Sequence, residues 1–377
     1  MRYIIISIAL LLLVSALSPA KQPAYFYKAM HGNIGSEKVT AYVMKLDTTL
    51  SGSYSYDKYG KPIEFSYRSN IKNGRVFLEE DNYRDANYKW NITGYFYGKL
   101  EGDSVISGTW ISPDSSRSYP FRLAEHYPPG TAQFDIIHRE DSYGNCDNPG
   151  CAVVSVTFPQ MKSFTDKAVQ DSVNEFIRGV ILFPKIEADS TLKNGRFDSP
   201  ESLISDFIKR YKADFKDLEG IREYSYNWQG DYNVAVGLNE NYILGLSAYE
   251  YNYLGGAHGN YLIIHYNLDL KTGRKINLAD IFAEGYEKKL NETAESIFRQ
   301  QYEIHRRQNL DAAGYWFENN KFLLNDNFTL SRTGITFQYN QYEIAPYSFG
   351  APEVFIPWEK LKIILKEDGI ISRLAPQ

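Results

Sequence analysis

The sequence has only two cysteines, and beyond Leu17 it lacks any apolar run long enough to cross a bilayer. A spanning helix needs about 20 consecutive apolar residues. It also lacks a cluster of basic residues: 41 Lys and Arg stand against 46 Asp and Glu. Binding to nucleic acid needs clustered cations on the phosphates, so that class is excluded as a partner. No Gly-x-Ser-x-Gly elbow, phosphate loop or dinucleotide glycine pattern is present. Ser55-Tyr-Asp-Lys58 and Ser163-Phe-Thr-Asp-Lys167 bring Lys near Ser, but without the partner motifs of Ser–Lys acyl enzymes. Among six histidines, His258 and His265 stand closest to a defined element. Seven residues apart on one strand they would face opposite sides and could not share a metal. Neither a cofactor nor a metal is expected.

One long apolar segment is present at the start. Met1-Arg2-Tyr3 precedes an uncharged run, Ile4–Leu17, and Ser18-Pro19-Ala20 follows before Lys21. A single basic residue, a short apolar core and small residues at the end read as a secretory signal over residues 1–20. Its removal leaves 41 − 1 = 40 basic against 46 acidic residues. An exported protein, periplasmic or extracellular, is therefore expected, with no membrane span after cleavage. In such a compartment Cys146 and Cys151, separated by Asp-Asn-Pro-Gly, should form a disulfide. Thiol oxidoreductases use a two-residue spacing instead.

Tyrosine is abundant, at 31 of 377 residues. Tyr suits half-buried strands, and its apolar body with a polar tip also suits a face that binds protein or sugar. Residues 30–124 carry strand signals only, with period-2 runs at 39–46, 50–56, 63–69, 76–80, 93–100, 105–111 and 119–123. Asn73-Gly74 between two of them is a strong hairpin signal. An all-β antiparallel barrel or sandwich is expected, and a small barrel is filled by its own side chains. Residues 125–130, Glu-His-Tyr-Pro-Pro-Gly, read as a linker.

Beyond it the pattern mixes. Strands at 134–139 and 153–158 flank the cysteine loop, and Thr165 precedes a helical stripe of Val169, Val173, Phe176, Ile177 and Val180. Ser199-Pro200-Glu201 is a helix start. Further strands are expected at 224–228, 234–238, 243–253 and 261–270, a helix from 284 to about 306, a hairpin at 328–339 and a last helix at 358–365. Helices with a mostly antiparallel sheet make an α+β fold.

Two runs stand apart. Tyr251-x-Tyr253-x-Gly255-Gly256-Ala257-His258-Gly259 implies a bulge or tight crossing with positive φ angles. Phe337–Gly350 is a strand passing into an aromatic loop, since Pro346 cannot join a central ladder. If exposed, Tyr339, Tyr342, Tyr347 and Phe349 would mark a binding surface; if buried, they close the core.

These runs, with Asn267-Leu-Asp-Leu-Lys-Thr-Gly273, Leu278-Ala-Asp-Ile-Phe282, Gln341-Tyr-Glu-Ile-Ala-Pro-Tyr347, Gly350 and Ile356-Pro357, resemble domain-of-unknown-function family 3298, the RsiV-like domain. Residues 131–250 resemble the companion module that precedes it, and the family-like module covers 251–370. The resemblance implies an extracytoplasmic α+β module, which in an anti-sigma factor binds lysozyme and whose companion accompanies some cell-wall polysaccharide deacetylases. Neither a cytoplasmic sigma-binding part nor a deacetylase domain is expected here, and residues 30–124 match neither kind of protein. The expected function is a non-catalytic binding protein of the bacterial envelope, recognising a lysozyme-like protein or peptidoglycan through His258, Tyr339, Tyr342, Tyr347 and Phe349. The alternative is an enzyme acting on wall glycans or peptides with carboxylates or His258 as acid and base.

Overall fold

A computed structural model describes residues 24–84, 90–185, 196–215 and 226–374. The expected signal segment, residues 1–20, and the first two residues of the strand expected at 224–228 lie outside the described residues.

The N-terminal strands are β1 Tyr25–Ile34, β2 Glu37–Leu46, β3 Thr49–Tyr56, β4 Ile63–Phe65, β5 Asn70–Lys72, β6 Arg75–Arg84, β7 Trp90–Glu101, β8 Val105–Ile111 and β9 Ser118–Glu125. Each pairs antiparallel with its neighbours, β1 pairs with β9, and the short β4 and β5 share one place between β3 and β6. The sheet therefore closes into a barrel with eight strand positions, as the sequence led one to expect. Asn73 and Gly74 both take positive φ, 52° and 74°, the requirement of a tight two-residue hairpin turn. The interior is filled by Phe26, Met30, Leu50, Leu78, Phe96, Ile106 and Phe121, among others.

The second sheet has the order β10-β11-β12-β13-β14-β15. Its strands are β10 Gln133–Tyr143, β11 Ala152–Ser163, β12 Trp228–Glu240, β13 Ile243–Tyr253, β14 Asn260–Asp269 and β15 Arg274–Lys275. β11 and β12 run parallel and the other pairs antiparallel. A parallel pair needs a crossover connection, and the helices α1 Lys167–Ile181 and α2 Pro200–Asp214 lie within it. The α1 cap is Asp166, one residue past the expected Thr165, because its carboxylate accepts from the N–H groups of Ala168 and Val169. Ser199 caps α2 in a reciprocal capping box with Ser202, and Pro200 occupies the first turn. Val173, Ile177, Phe207 and Tyr211 pack on Val154, Val156, Tyr232 and Trp228, so one face of the sheet is covered by helices. Cys146 and Cys151 are bonded in the β10–β11 loop, where the Asn227 side chain accepts from the N–H groups of Gly150 and Cys151 at 2.7 and 3.2 Å.

On the opposite face, where neither α1 nor α2 packs, Asp231, Asn233, Tyr249, Tyr251 and Tyr261 are half-buried. At one end the barrel wall packs on it: Tyr27, Ala29, Tyr42 and Met44 join Phe134 and Ile136 in a single hydrophobic cluster. At the other end sits a three-stranded sheet, β16 Phe328–Leu330, β17 Gly334–Gln338 and β18 Glu353–Pro357. It packs with α3 Leu278–Ile281, α4 Glu287–Gln301 and α5 Trp358–Leu361 around Phe298, Phe337 and Trp358. The last helix is shorter than expected, since residues 362–364 tighten into a 3₁₀ turn. Among the described residues no helix is long and apolar enough to cross a membrane.

Candidate functional site

The strand alternation of β11 to β14 decides which side chains reach the open face. On β12 the even-numbered residues Tyr232 and Val234 are buried under the helices, so Asp231 and Asn233 point the other way. Register places Asp231 beside Ser155 of β11 and opposite Tyr251 of β13. Asn233 stands opposite Tyr249, and Tyr251 in turn stands opposite Tyr261 of β14. The result is a band of polar and aromatic side chains across the sheet.

Asp231 accepts a hydrogen bond from Ser155 at 3.3 Å. Burial pushes its carboxyl pKa above the ordinary value; the Ser155 bond and His138 pull it down, and Glu140 pushes it up. The Oδ1 atom of Asn233 is buried and accepts no hydrogen bond from the described residues. Tyr249 and Tyr261 stack with ring centroids 6.4 Å apart, and burial first, then Asp231, push the Tyr249 phenol up to about 12. At the β10 edge the Tyr25 ring of the barrel lies 4.9 Å from His138, whose Nδ1 meets the Thr157 hydroxyl at 2.8 Å.

The loop after β17 overhangs the other end of the band. Its position is set by two asparagines that mimic a neighbouring strand. The Ile263 N–H donates to Asn340 Oδ1 at 2.7 Å while Asn340 Nδ2 donates to Ile263 O at 3.0 Å. The His265 N–H donates to Asn327 Oδ1 at 2.7 Å, and Asn327 Nδ2 returns to Ile263 O at 2.9 Å. These side chains satisfy the backbone groups of β14 and tie the third sheet to the second. Asn340→Ala is expected to lower stability by about 1–3 kcal/mol, because it orphans the Ile263 N–H. Hydrogen exchange at that amide should accelerate as well, and Asn340→Asp, which keeps the acceptor, should lose less.

The structure brings three of the expected residues together. His258 stacks on Tyr347 with centroids 4.1 Å apart and ring planes at 24°, and its Nε2 lies 3.4 Å from the Tyr342 hydroxyl. Tyr342 is 49% exposed and His258 is exposed, while Tyr347 is half-buried. Tyr347 also lies close enough to Tyr249 and Tyr251 to raise their phenol pKa values, so the cluster is continuous with the band. Tyr339 and Phe349 fall elsewhere. Tyr339 is 1% exposed and donates its hydroxyl to Leu323 O at 2.6 Å, so it closes the core. The ring of Phe349 packs on Tyr315 at 5.4 Å.

The glycine run forms the β13–β14 hairpin connection rather than a bulge, since Asn252 pairs with Asn260. Gly255 and Gly256 take the expected positive φ, 92° and 94°. Gly259 has a different reason. A Cβ there would lie 2.5 Å from the Tyr251 hydroxyl, so only glycine lets that ring rest on the backbone. His258 therefore sits in the connection and His265 in β14. His265 is held by Ser247 at 2.9 Å and Gln338 at 2.5 Å, and burial lowers its pKa. Among the described residues no three His, Cys, Asp or Glu side chains are arranged to hold a metal ion. Asp231 and Asn233 were missed by sequence reading, although Tyr249, Tyr251 and Tyr253, alternating along β13, are a sequence signal for an aromatic face.

Comparison with known proteins locates this site in a recognisable module. Residues 279–359 match the model of the family described as "Protein of unknown function (DUF3298)". Residues 146–261 match the family described as "Deacetylase PdaC". A crystal structure of a DUF3298 family member from Bacteroides fragilis is similar at a TM-score of 0.53 and 23% identity, covering 66% of this chain and 100% of its own. A DUF3298 family protein from Pseudomonas aeruginosa matches at a TM-score of 0.46 and 18% identity, covering 65% of this chain and 97% of its own. No curated protein matches. The resemblance is thus shown: the part of the chain that follows the barrel is similar in fold to a DUF3298 family member, with the aromatic loop inside the DUF3298 match and the glycine run inside the preceding Deacetylase PdaC match.

Proposed function

We propose that this protein is an exported, non-catalytic binding protein of the bacterial envelope that recognises the glycan of peptidoglycan on the open face of its second sheet. The observation that carries the reading is the His258–Tyr347 stack with Tyr342 exposed beside it, running into the Tyr249–Tyr261 pair. Rings with polar tips on a shallow face suit saccharides, whose C–H faces stack on aromatics while their hydroxyls bond to the rim. The disulfide supports an oxidising, extracytoplasmic setting, and a neighbouring match to a family described as a deacetylase supports an envelope context. Residues 30–124, 131–250 and 251–370 would act as barrel, companion and family-like modules, joined through the 125–130 segment.

The surroundings of His258 favour binding over catalysis. Its Nδ1 faces Gly259 O at 3.0 Å and its ring lies on tyrosine, so among the described residues a backbone carbonyl stands where a general base has its orienting carboxylate. The test is sedimentation of the mature protein with insoluble peptidoglycan, and in parallel with immobilised lysozyme. Wild type should bind the peptidoglycan, and Tyr342→Ala with Tyr347→Ala should reduce binding about tenfold or more, as loss of two stacking rings implies. Capture by lysozyme alone would move the assignment to a protein partner, and capture by neither would end it.

A further inference from the structure

The open face carries acceptors and rings with little to balance them. Asp231 offers a half-buried carboxylate whose described hydrogen bond comes from Ser155. Tyr251 stands opposite the carboxylate, Tyr249 lies diagonally next to it, and Tyr261 and Tyr347 complete the surround. Among the described residues, the charged and titratable groups that face Asp231 are His138 and Glu140 of β10 and Tyr249 and Tyr251 of β13. No lysine or arginine is among them. A half-buried carboxylate lined by tyrosines calls for a donor that is itself positively charged. An ammonium group meets both demands, since its N–H donors bond to and neutralise the carboxylate, and it is attracted to ring faces.

We infer that the Asp231 position on this face is a binding subsite for an organic ammonium group of the ligand, with Asp231 as counter-ion and the Tyr249 and Tyr251 rings as walls. The amine could belong to an unacetylated amino sugar or to a side chain of a wall peptide; the chemistry is shared. This inference rests on the reading that the face binds an envelope ligand and adds what the site selects.

The two sources and the two levels of the claim separate in one titration series. Full-length mature protein is titrated with glucosamine, N-acetylglucosamine, Nα-acetyl-lysine amide and its uncharged Nε-acetyl counterpart, with binding followed by NMR of the tyrosine side chains. At neutral pH each free amine should bind about tenfold or more tightly than its acetylated partner, as a desolvated charge pair with ring contacts implies. The sugar or the lysine derivative will bind more tightly according to the natural source. Asp231→Asn should erase the difference while leaving the weak binding of N-acetylglucosamine in place. Tyr249→Leu should reduce the preference for the amine, and acidification that protonates Asp231 should abolish it in wild type. Equal affinity for free and acetylated amines, or an unchanged preference in Asp231→Asn, would overturn the ammonium subsite. Loss of peptidoglycan binding with the preference intact would instead remove only the glycan reading.

Discussion

Arg332→Ala should destabilise the protein by about 3–5 kcal/mol, the scale seen when one partner of a buried ion pair is removed. Arg332 lies in the β16–β17 turn and reaches both other sheets at once. Its Nε donates to Glu240 Oε1 at 2.7 Å and its Nη2 to Glu240 Oε2, a two-pronged contact with the end of β12. Its Nη1 donates to Asp57 Oδ1 at 2.9 Å and its Nη2 to Thr40 at 3.3 Å, both from the barrel. The side chains of Arg332 and Glu240 are only 17% and 9% exposed. Burial works to lower the guanidinium pKa, but Glu240 and Asp57 hold it above its already high ordinary value, so the group stays charged. Truncation would leave Glu240 buried without a cation, next to a Tyr42 hydroxyl already 3.4 Å away. Urea unfolding should show the loss, with Asp57→Asn costing about 1 kcal/mol or less, because that carboxylate is partly exposed. Near-equal midpoints for wild type and Arg332→Ala would mean that the node does not join the sheets energetically.

Glu80→Ala should cost about 3 kcal/mol or more, through a cavity and two stranded donors in the barrel interior. Glu80 accepts from the Tyr54 hydroxyl and from Trp110 Nε1 at 3.1 Å, and all three residues are buried. Burial raises the Glu80 pKa, while the bonds from Tyr54 and Trp110 pull it down without cancelling the effect. A raised folded-state pKa means that the folded protein holds the proton more firmly than the unfolded chain. This contribution is fully present below the unfolded value, near 4.5, and is lost as pH rises through the folded value. Stability of wild type relative to Glu80→Gln should therefore decline from about pH 4.5 upward. Denaturant midpoints of the two proteins across that range would show it, and a difference that grows with pH instead would contradict the assignment.

What the sequence revealed was local chemistry. The Asn73-Gly74 turn, the Ser199-Pro200 helix start and the Cys146–Cys151 loop each depend on residues a few positions apart, and each stands as read. The first strand did not show itself. In β1, Phe26 and Met30 face the barrel interior while Tyr27 and Ala29 face the second sheet, so burial on both sides erases the alternation that marks a strand. The cluster of His258, Tyr342 and Tyr347 was legible as two runs but not as a contact, since Asn340 and Asn327 make the join through β14. Asp231 was hidden more deeply. It lies between two segments that read as separate strands, and its surroundings arise from a parallel pairing of β11 with β12 across two helices. No local pattern encodes that register.

On the proposed reading the ligand sits on the open face of the second sheet. Mapping NMR shift changes on the protein lacking residues 1–20, as a soluble peptidoglycan glycan fragment is added, addresses this directly. The changes should gather at Tyr249, Tyr251, Tyr261, His258 and Tyr347, saturate together, and leave the barrel interior around Trp110 untouched. Saturable changes confined to the barrel, or none anywhere at concentrations that saturate wall binding, would contradict it.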